Sequence, residues 1–403
     1  MIAPRLRHLA ALAAFASLAS PAVASAQTYV RSWSTAIHEP VTDARVTLPD
    51  LADRTIRQVV RISTGGKRLR ITLSNSESTK ALQIGHVEIA LAAANGAIVE
   101  GSSRRVTFSG GDQTALIPAH APLVSDAIEL NVPALAKVAV SIHLPAGGTD
   151  LATHRNAVAT GWIAPGDQTT STTLNAPQRF GMRVILSAVD TIAGRKSRTV
   201  VTYGDSITDG SRARIDSDNR WPDELAERLQ TVGMKNVAVA NAGIGGNRLL
   251  KDGFGTNALA RFDRDVLSVP GVSHVIVLEG VNDIGVAWRE KYPEAVTADG
   301  LIDAYQQMVA RAHAKGVKVI LGTILPYKGA GYWSEWGEGV RGQVNAWIRA
   351  QSIADGVVDF DAATRRTDDP AVMRKEFDGG DFLHPNDAGF AAMAAAVDLK
   401  LLR

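Results

Sequence analysis

The sequence predicts an α/β protein in two parts: a β-rich amino-terminal region at 27–190, and a parallel sheet covered by helices at 199–403. Before residue 190, short apolar or alternating stretches are separated by Gly, Asn, Asp and Ser, which is typical of strands joined by turns. From residue 199, apolar stretches alternate with helical periodicity, which is typical of a parallel sheet. The length of 403 residues also exceeds one ordinary core, so we expect two domains.

Residues 1–26 have the composition of an export signal. Arg5 and Arg7 precede an apolar run, and the run ends in the small-residue sequence ASA before Gln27, as at a cleavage site. A membrane anchor is the alternative, but Pro21 interrupts the run, which is shorter than the ~20 residues that a span needs. We therefore expect a secreted or periplasmic protein that has lost residues 1–26.

Charge and cysteine content exclude several classes of function. Removing residues 1–26 removes two arginines and leaves 41 basic against 41 acidic side chains. A near-neutral chain lacks the basic surface of a nucleic-acid binder. The chain has no cysteine, which excludes cysteine nucleophiles, cysteine-ligated zinc and iron–sulfur clusters. Without disulfides, an exported chain depends on core burial for its stability.

The amino-terminal region contains several strand candidates that are bounded by turn-forming residues. Together they suggest a β-sandwich or a jelly roll, and the short polar stretch at 191–198 is a predicted linker. The strand candidates lie at 67–76, 86–100, 104–111, 137–148 and 179–190. The histidines of this region have no metal-ligand spacing, and we interpret them as structural or surface residues: His38, His86, His120, His143 and His154.

The carboxyl-terminal region alternates strand and helix candidates. In such sheets the ligand site lies beyond the carboxyl ends of the strands, so the residues that follow each strand matter most. The predicted strands lie at 198–204, 236–241, 274–280, 317–325 and 356–360. The predicted helices lie at about 220–233, 256–268, 300–315, 338–354 and 386–402.

Three of these strands are followed by segments that combine polar residues with glycine. "GDSITDG" places Ser206 directly after the first strand, where a serine acts either as a helix cap or as a nucleophile. "NAGIGGN" at 241–247 exposes backbone N–H groups that no side chain covers. "GVND" brings the amide of Asn282 to the same edge of the sheet. Each segment alone is also compatible with an ordinary turn.

The segment "DFLHP" adds a histidine and a carboxylate before the last helix. Asp381 and His384 are three residues apart, so one rigid loop can present both. A histidine acts as a base on one ring nitrogen when a carboxylate holds the other. A nucleophile, a base with its carboxylate, and two kinds of oxyanion donor thus follow different strands of one sheet.

In this combination the sequence resembles the SGNH hydrolases, also called the GDSL esterase/lipase family, over about 199–400. The resemblance implies a three-layer α/β/α sandwich with a five-stranded parallel sheet. It also implies a triad of Ser206, Asp381 and His384, and an oxyanion hole formed by Ser206, Gly246 and Asn282. Asp205 is expected to brace the turn before the nucleophile.

The resemblance extends to the amino-terminal region, which is similar to the β-rich domain ahead of the catalytic domain in some secreted members. It implies a carboxylester hydrolase without cofactor or metal, acting on acetyl esters of carbohydrates or on small aryl or alkyl esters. The aromatic loop at 327–336 follows a strand, and Trp333 and Trp336 could stack on a sugar ring or pack against the amino-terminal region instead.

Other classes of function are weaker alternatives. An α/β-hydrolase lipase would need a G-x-S-x-G elbow, which "YGDSI" lacks. A peptidase, or an enzyme that transfers acetyl groups to a sugar, could use the same triad. A non-catalytic polysaccharide-binding protein on this fold is expected to have lost a triad residue, and none is missing.

Overall fold

A computed structural model of the protein describes residues 29–38, 50–148, 151–192, 194 and 196–403. The predicted export signal, residues 1–26, lies outside the described residues. Within them, no helix is both long enough and apolar enough to cross a membrane.

The amino-terminal region consists of antiparallel strands. Its strands are β1 Tyr29–Ser34, β2 Arg54–Arg61, β3 Gly66–Ser74, β4 Leu82–Ile84, β5 Val87–Leu91, β6 Arg104–Arg105, β7 Ala115–Ile117, β8 Pro122–Val124, β9 Ile128–Val132, β10 Lys137–Leu144, β11 Thr153–His154, β12 Gly161–Pro165, β13 Gln178–Phe180, β14 Arg183–Val184 and β15 Leu186–Ile192. A 3₁₀ turn lies at Ala94–Gly96. β15 extends through Ile192, two residues into the stretch predicted as a linker.

Two larger sheets organise these strands. One has the order β1-β15-β3-β8, with β9 also paired to β3, and the other has the order β13-β12-β2-β10-β5-β6. Alternate residues from both sheets, such as Ile71 on β3 and Val140 on β10, belong to one hydrophobic cluster. The predicted β-rich character is therefore confirmed, and its strands bury their apolar faces in a shared core.

The carboxyl-terminal region contains a five-stranded parallel sheet. Its strands are β16 Arg198–Gly204, β17 Val237–Gly243, β18 Val272–Leu278, β19 Lys318–Gly322 and β20 Gly356–Val358, in the order β17-β16-β18-β19-β20. β16 is buried from Thr199 to Gly204, as expected for an inner strand covered on both faces. The prediction of a parallel α/β sheet is confirmed.

Helices connect the strands of this sheet. They are α1 Ser206–Asp209, α2 Trp221–Thr231, α3 Ala258–Phe262, α4 Val281–Arg289, α5 Ala298–His313, α6 Glu335–Ala350, α7 Phe360–Thr364 and α8 Asp387–Ala396. A short π-helix follows α3 at Asp263–Leu267, and 3₁₀ turns lie at Pro293–Ala295, Lys375–Phe377 and Leu399–Leu402. Helix α8 contacts both α2 and α7, while α6 contacts α4 and α5, and α3 contacts α5.

The sequence-based boundaries differ from the structure in two informative places. Helix α4 was not predicted, because Gly280, Gly285 and β-branched residues weaken the helical signal. Gly280 has a φ of 106°, which lets the chain turn from β18 into α4, so Asn282 lies in the first helical turn. Helix α6 begins at Glu335, three residues before the predicted start, because Ser334 caps it by accepting the Gly337 N–H.

The two regions contact each other along β17, which is the edge strand of the parallel sheet. Val239 donates its N–H to Ser63 Oγ across 2.9 Å, and Ser34 Oγ donates to the Asn241 carbonyl across 2.8 Å. Arg31 on β1 also donates its N–H to the Pro270 carbonyl. The amino-terminal region thus covers an edge that would otherwise expose unpaired backbone groups.

Candidate active site

The turn from β16 into α1 presents Ser206 at the edge of the sheet. Asp205 caps α1 by accepting the Ile207 N–H across 2.9 Å, which confirms the expected brace. Gly204 has no room for a side chain, since a Cβ there would lie 2.4 Å from the Leu278 carbonyl oxygen. The turn is therefore held from both sides, and Ser206 itself is 6% exposed.

Ser206, His384 and Asp381 form one hydrogen-bonded chain. The distance from Ser206 Oγ to His384 Nε2 is 2.8 Å, and the distance from His384 Nδ1 to Asp381 Oδ2 is also 2.8 Å. Because a carboxylate only accepts, Nδ1 carries the hydrogen in this contact and Nε2 is left to accept the serine proton. The structure brings together the three side chains that the sequence placed in a triad.

Asp381 is held as a carboxylate. It accepts the backbone N–H of His384 across 2.9 Å and of Leu383 across 3.1 Å, and Arg212 Nε lies 3.0 Å from its Oδ2. Partial burial alone would raise the pKa of Asp381, but the hydrogen bonds from His384 and Arg212 outweigh it and hold that pKa well below its usual range. The carboxyl group is thus ionised throughout the neutral pH range.

A tight turn fixes the loop that carries this pair. Asp378 Oδ1 accepts the N–H groups of Gly380 and Phe382 across 2.9 and 3.0 Å. The Gly379 N–H donates to the His384 carbonyl across 2.8 Å. The loop therefore has little freedom to move the imidazole away from the serine.

Two backbone N–H groups at the site have no acceptor among the residues that the structure describes: those of Ser206 and Gly246. Gly246 has a φ of 78°, a conformation that favours glycine. The neighbouring Gly245 N–H is already used, since it donates to Asp209 Oδ2 across 3.1 Å. Of these two adjacent glycines, only Gly246 has a free donor.

Asn282 is oriented by hydrogen bonds at both ends of its amide. Nδ2 donates to the Asn247 carbonyl across 3.0 Å, and Oδ1 accepts the Tyr332 hydroxyl across 3.1 Å. A carbonyl cannot donate, so Nδ2 must be the end that faces Asn247. One N–H of the amide then remains available for an acceptor.

A buried arginine connects the segments that carry these donors. Arg261 donates to the carbonyls of Gly204 and Ala242 across 3.0 and 2.7 Å, and its Nε donates to Asn247 Oδ1 across 2.9 Å. The side chain of Arg261 is fully buried, and Asp265 lies 3.1 Å away as its counter-charge. Arg261 thus connects the nucleophile turn to the glycine-rich loop.

Two buried carboxyl groups near the nucleophile hold protons more tightly than usual. Burial raises the pKa of Asp205 to about 7, and the charge of Asp283 contributes to the rise. Burial also raises the pKa of Asp283 to about 6, although it accepts the N–H groups of Leu249 and Leu250. Folding therefore takes up protons at these positions in weakly acidic solution.

The aromatic side chains of the loop at 327–336 contact other aromatic and charged side chains. Trp336 stacks on Trp288 with ring centroids 6.5 Å apart, and Trp333 lies under the Lys328 ammonium. Tyr332, directly before Trp333 in the sequence, contacts Asn282. A substrate-binding role of Trp333 and Trp336 stays a prediction.

Two exposed phenylalanines flank the site. Phe254 is 52% exposed and packs against Gly246, and Phe382 is 50% exposed and lies two residues before His384. Neither residue is distinguished by a sequence motif. Arg261 was also missed, because an arginine in an apolar helical segment has no sequence signal that it is buried and paired.

The comparison with protein families decides the classification. Residues 202–392 match the GDSL-like lipase/acylhydrolase family. This segment is therefore a GDSL-like lipase/acylhydrolase domain. The family resemblance predicted from the sequence is confirmed, and with it the prediction of an esterase-class hydrolase. We refer to residues 202–392 as the GDSL domain.

Solved structures that are similar to this protein align with about half of its chain. The same alignments include almost the whole chain of each solved structure. A lipolytic protein of the G-D-S-L family from Desulfitobacterium hafniense is 23% identical and covers 50% of this chain and 97% of its own, with a TM-score of 0.38. A carbohydrate acetylesterase family member from Sinorhizobium meliloti is 18% identical and covers 51% and 99%, with a TM-score of 0.39. An acetyl xylan esterase is 24% identical and covers 49% and 96%, with a TM-score of 0.38. Among curated proteins, no sequence relative matches the chain.

Proposed function

We propose that this protein is an exported serine esterase that removes short acyl groups, with acetyl esters of carbohydrates as its substrate class. The observation that carries the proposal is the hydrogen-bonded chain from Ser206 Oγ to His384 Nε2, 2.8 Å, and from His384 Nδ1 to Asp381 Oδ2, 2.8 Å. Three N–H donors with hydrogen-bonding capacity left, on Ser206, Gly246 and Asn282, lie on the segments beside it.

In this mechanism Ser206 Oγ attacks the ester carbonyl carbon while His384 Nε2 takes the serine proton. Asp381 stabilises the imidazolium that forms. The carbonyl oxygen becomes an oxyanion, which accepts hydrogen bonds from Ser206, Gly246 and Asn282. His384 then gives its proton to the leaving alcohol, and an acyl-serine remains.

Water completes the cycle. His384 Nε2 takes a proton from the water as it attacks the acyl-serine carbonyl, and the same three donors hold the second oxyanion. Collapse of this intermediate breaks the bond to Ser206 Oγ, which recovers its proton from His384. The carboxylic acid leaves, and the enzyme returns to its starting state.

The exposed phenylalanines support a substrate with a flat apolar face. Phe254 packs against Gly246, and Phe382 lies in the loop that carries His384; exposed rings of this kind stack on the apolar face of a sugar. The same rings favour a second candidate function, hydrolysis of small aryl esters, since an aryl leaving group would stack in the same way. Trp333 and Trp336 are candidates for more distant contacts with a substrate.

A substrate panel separates these functions. We expect kcat/KM on p-nitrophenyl esters to be highest for acetyl and to fall through butyryl, octanoyl and palmitoyl, and we expect acetate release from acetylated xylan. A maximum at octanoyl or beyond would indicate a lipase. Turnover of aryl acetates with no acetate from xylan would favour the arylesterase, and the Ser206→Ala variant is the blank in every assay.

We further propose that residues 1–26 direct export. We also propose that residues 27–190 form an accessory domain whose two sheets pack as a β-sandwich. The linker at 191–198 joins this domain to the catalytic domain at 199–403. The supporting observations are the charge and apolar pattern of the first segment and the hydrophobic cluster that both sheets share. Amino-terminal sequencing of the exported protein is expected to start at Gln27; an intact Met1 would contradict the export signal.

A further inference from the structure

His154, in the β-rich region, contacts α1 of the GDSL domain, the helix that begins at Ser206. Its Nε2 lies 2.8 Å from Asp209 Oδ1, and its Nδ1 lies 2.7 Å from the Ala36 carbonyl oxygen. Both side chains are almost fully buried, and each residue is 2% exposed. This ion-pair geometry connects two parts of the chain that are 55 residues apart in the sequence.

The hydrogen bonds of His154 are compatible with two protonation states of the His154–Asp209 pair. The Ala36 carbonyl can only accept, so Nδ1 carries a hydrogen. One further hydrogen lies between Nε2 and Asp209 Oδ1, which makes the pair either imidazolium with carboxylate or imidazole with carboxylic acid. In both states Asp209 has a partner for Oδ1, and a buried carboxylate without a partner would be strongly unfavourable.

The other oxygen of Asp209 supports the glycine-rich loop. Oδ2 accepts the Gly245 N–H across 3.1 Å, and Asn156 Nδ2 lies 3.3 Å from it. The backbone of Gly243 packs directly against Asp209, since a Cβ on that glycine would lie 2.3 Å from the Asp209 nitrogen. Asp209 therefore determines where this loop lies relative to α1.

Asp209 lies close in the chain to the nucleophile and also contacts the loop that carries a proposed oxyanion donor. It is the last residue of α1, and Ser206 is the first. The glycine that it holds, Gly245, directly precedes Gly246, whose N–H is a proposed oxyanion donor. A displacement of Asp209 would thus move the donor relative to the nucleophile, and a misplacement of about 1 Å at a reacting centre can lower a rate by roughly 10²-fold.

We propose that His154 is a positioning residue for catalysis: through Asp209 it sets the position of the Gly246 N–H, so the β-rich region completes the active site of the GDSL domain. The inference rests on the proposed function, because it assigns His154 a role only if Gly246 stabilises an oxyanion. His154 does not touch the reacting atoms.

Two substitutions at one position test this role in the full-length protein. His154→Gln places an amide nitrogen near the position of Nε2 and can still donate to Asp209. His154→Asn places its amide nitrogen near Nδ1, so it keeps a donor for the Ala36 carbonyl but does not reach Asp209. Both variants keep a polar side chain at position 154, and they differ in whether that side chain reaches Asp209.

The measured quantities are KM and kcat per active site on p-nitrophenyl acetate, with active sites counted by complete labelling with a fluorophosphonate. We expect His154→Asn to lower kcat per labelled site by roughly 10- to 100-fold with KM nearly unchanged. We expect His154→Gln to stay within about threefold of wild type. His143→Asn is the matched control, since His143 Nε2 also faces a carboxylate, Asp53, at 3.0 Å in the same region.

The possible results separate this inference from the proposed function. A His154→Asn variant that has fewer labelled sites but an unchanged kcat per site would show a purely structural role and overturn the inference. Equal losses in the Asn and Gln variants, or an equal loss in His143→Asn, would overturn it too. If the wild type neither hydrolyses the ester nor takes the label, the proposed function fails, and this inference fails with it.

Discussion

Tyr332 donates its hydroxyl hydrogen to Oδ1 of Asn282 across 3.1 Å, while Nδ2 of the same amide donates to the Asn247 carbonyl across 3.0 Å. These two contacts decide which end of the amide carries the free N–H. Asn282 thus has its orientation before any substrate arrives, and an oriented donor needs no reorganisation when charge develops on the substrate oxygen.

Substitutions of this pair are expected to have graded effects on kcat. Asn282→Ala removes a proposed oxyanion donor and is expected to lower kcat by roughly 10²- to 10³-fold with little change in KM. Tyr332→Phe removes only the bond that orients the amide, and a loss of roughly 2- to 10-fold is expected. The control is Tyr327→Phe, because the Tyr327 hydroxyl has no partner among the described residues. An Asn282→Ala effect confined to KM would assign that residue to ground-state binding.

Ser206→Ala is expected to abolish ester hydrolysis, with kcat lower by ~10⁶-fold, because the variant has no nucleophile. The melting temperature is expected to stay near that of the wild type, since alanine fits where Ser206 begins α1. The measurement is p-nitrophenyl acetate hydrolysis together with thermal unfolding. More than a few per cent of residual activity in a clean preparation would refute the role of Ser206.

The pH dependence of kcat/KM is expected to follow the imidazole. Because hydrogen bonds hold the pKa of Asp381 well below its usual range, this carboxylate does not titrate between pH 5 and 9. A rise of kcat/KM with pH in this range is therefore assigned to His384, whose Nε2 must be free of a proton to accept that of Ser206. A profile that is flat from pH 5 to 9 would contradict His384 as the base.

Variants of His384 and Asp381 are expected to differ in how far they lower kcat. Asp381→Asn is expected to lower kcat by up to ~10⁴-fold, because an amide favours the wrong imidazole tautomer. His384→Ala removes the base and is expected to lower kcat at least as much. The two variants are compared on one acetyl ester at pH 8. An Asp381→Asn variant far less active than His384→Ala would mean that the base is wrongly assigned.

Asp205 makes the stability of the protein depend on pH. Its pKa in the folded protein is about 7, above the ~3.9 of an unfolded chain, so the folded state binds the extra proton between these values. The unfolding free energy is therefore expected to fall as pH rises from about 4 to about 7, by at most ~1.4 kcal/mol per pH unit from this group. Asp205→Asn keeps a capping oxygen for Ile207 but does not ionise.

Urea denaturation of this variant and the wild type between pH 4 and 8 measures the effect. The stability of Asp205→Asn relative to wild type is expected to increase up to pH 7 and then to level off. Asp381→Asn serves as the control whose stability relative to wild type is expected to stay constant over this range, because the pKa of Asp381 is lowered and its stabilising contribution is lost only below about pH 4. A constant difference between Asp205→Asn and wild type would contradict the raised pKa.

Hydrolysis is expected to require no metal ion. The chain lacks cysteine, and the described residues contain no group of three or more His, Asp or Glu side chains arranged to hold a metal. Activity is therefore expected to survive prolonged dialysis against EDTA. Loss of activity that one divalent ion restores would replace the proposed mechanism with a metal-assisted one.

The sequence by itself determined the parallel sheet and the segments at its edge. Strand–helix alternation implies parallel strands, and parallel strands place their carboxyl ends along one edge. Ser206, Gly246 and Asn282 each follow a strand, so they could be assigned to one site before any distance was known. Asp381 and His384 could be paired because their contact spans three residues, and a local contact leaves its pattern in the sequence.

Only the tertiary structure decided how these groups are held. The contacts of His154 with Asp209, Tyr332 with Asn282 and Arg261 with Gly204 join residues 50 or more positions apart. Such contacts depend on how separate elements pack, and neither helical nor strand periodicity records them. Helix α4 was missed for a related reason: its propensity is weak, and burial of Val281 and Ile284 in the core stabilises it instead.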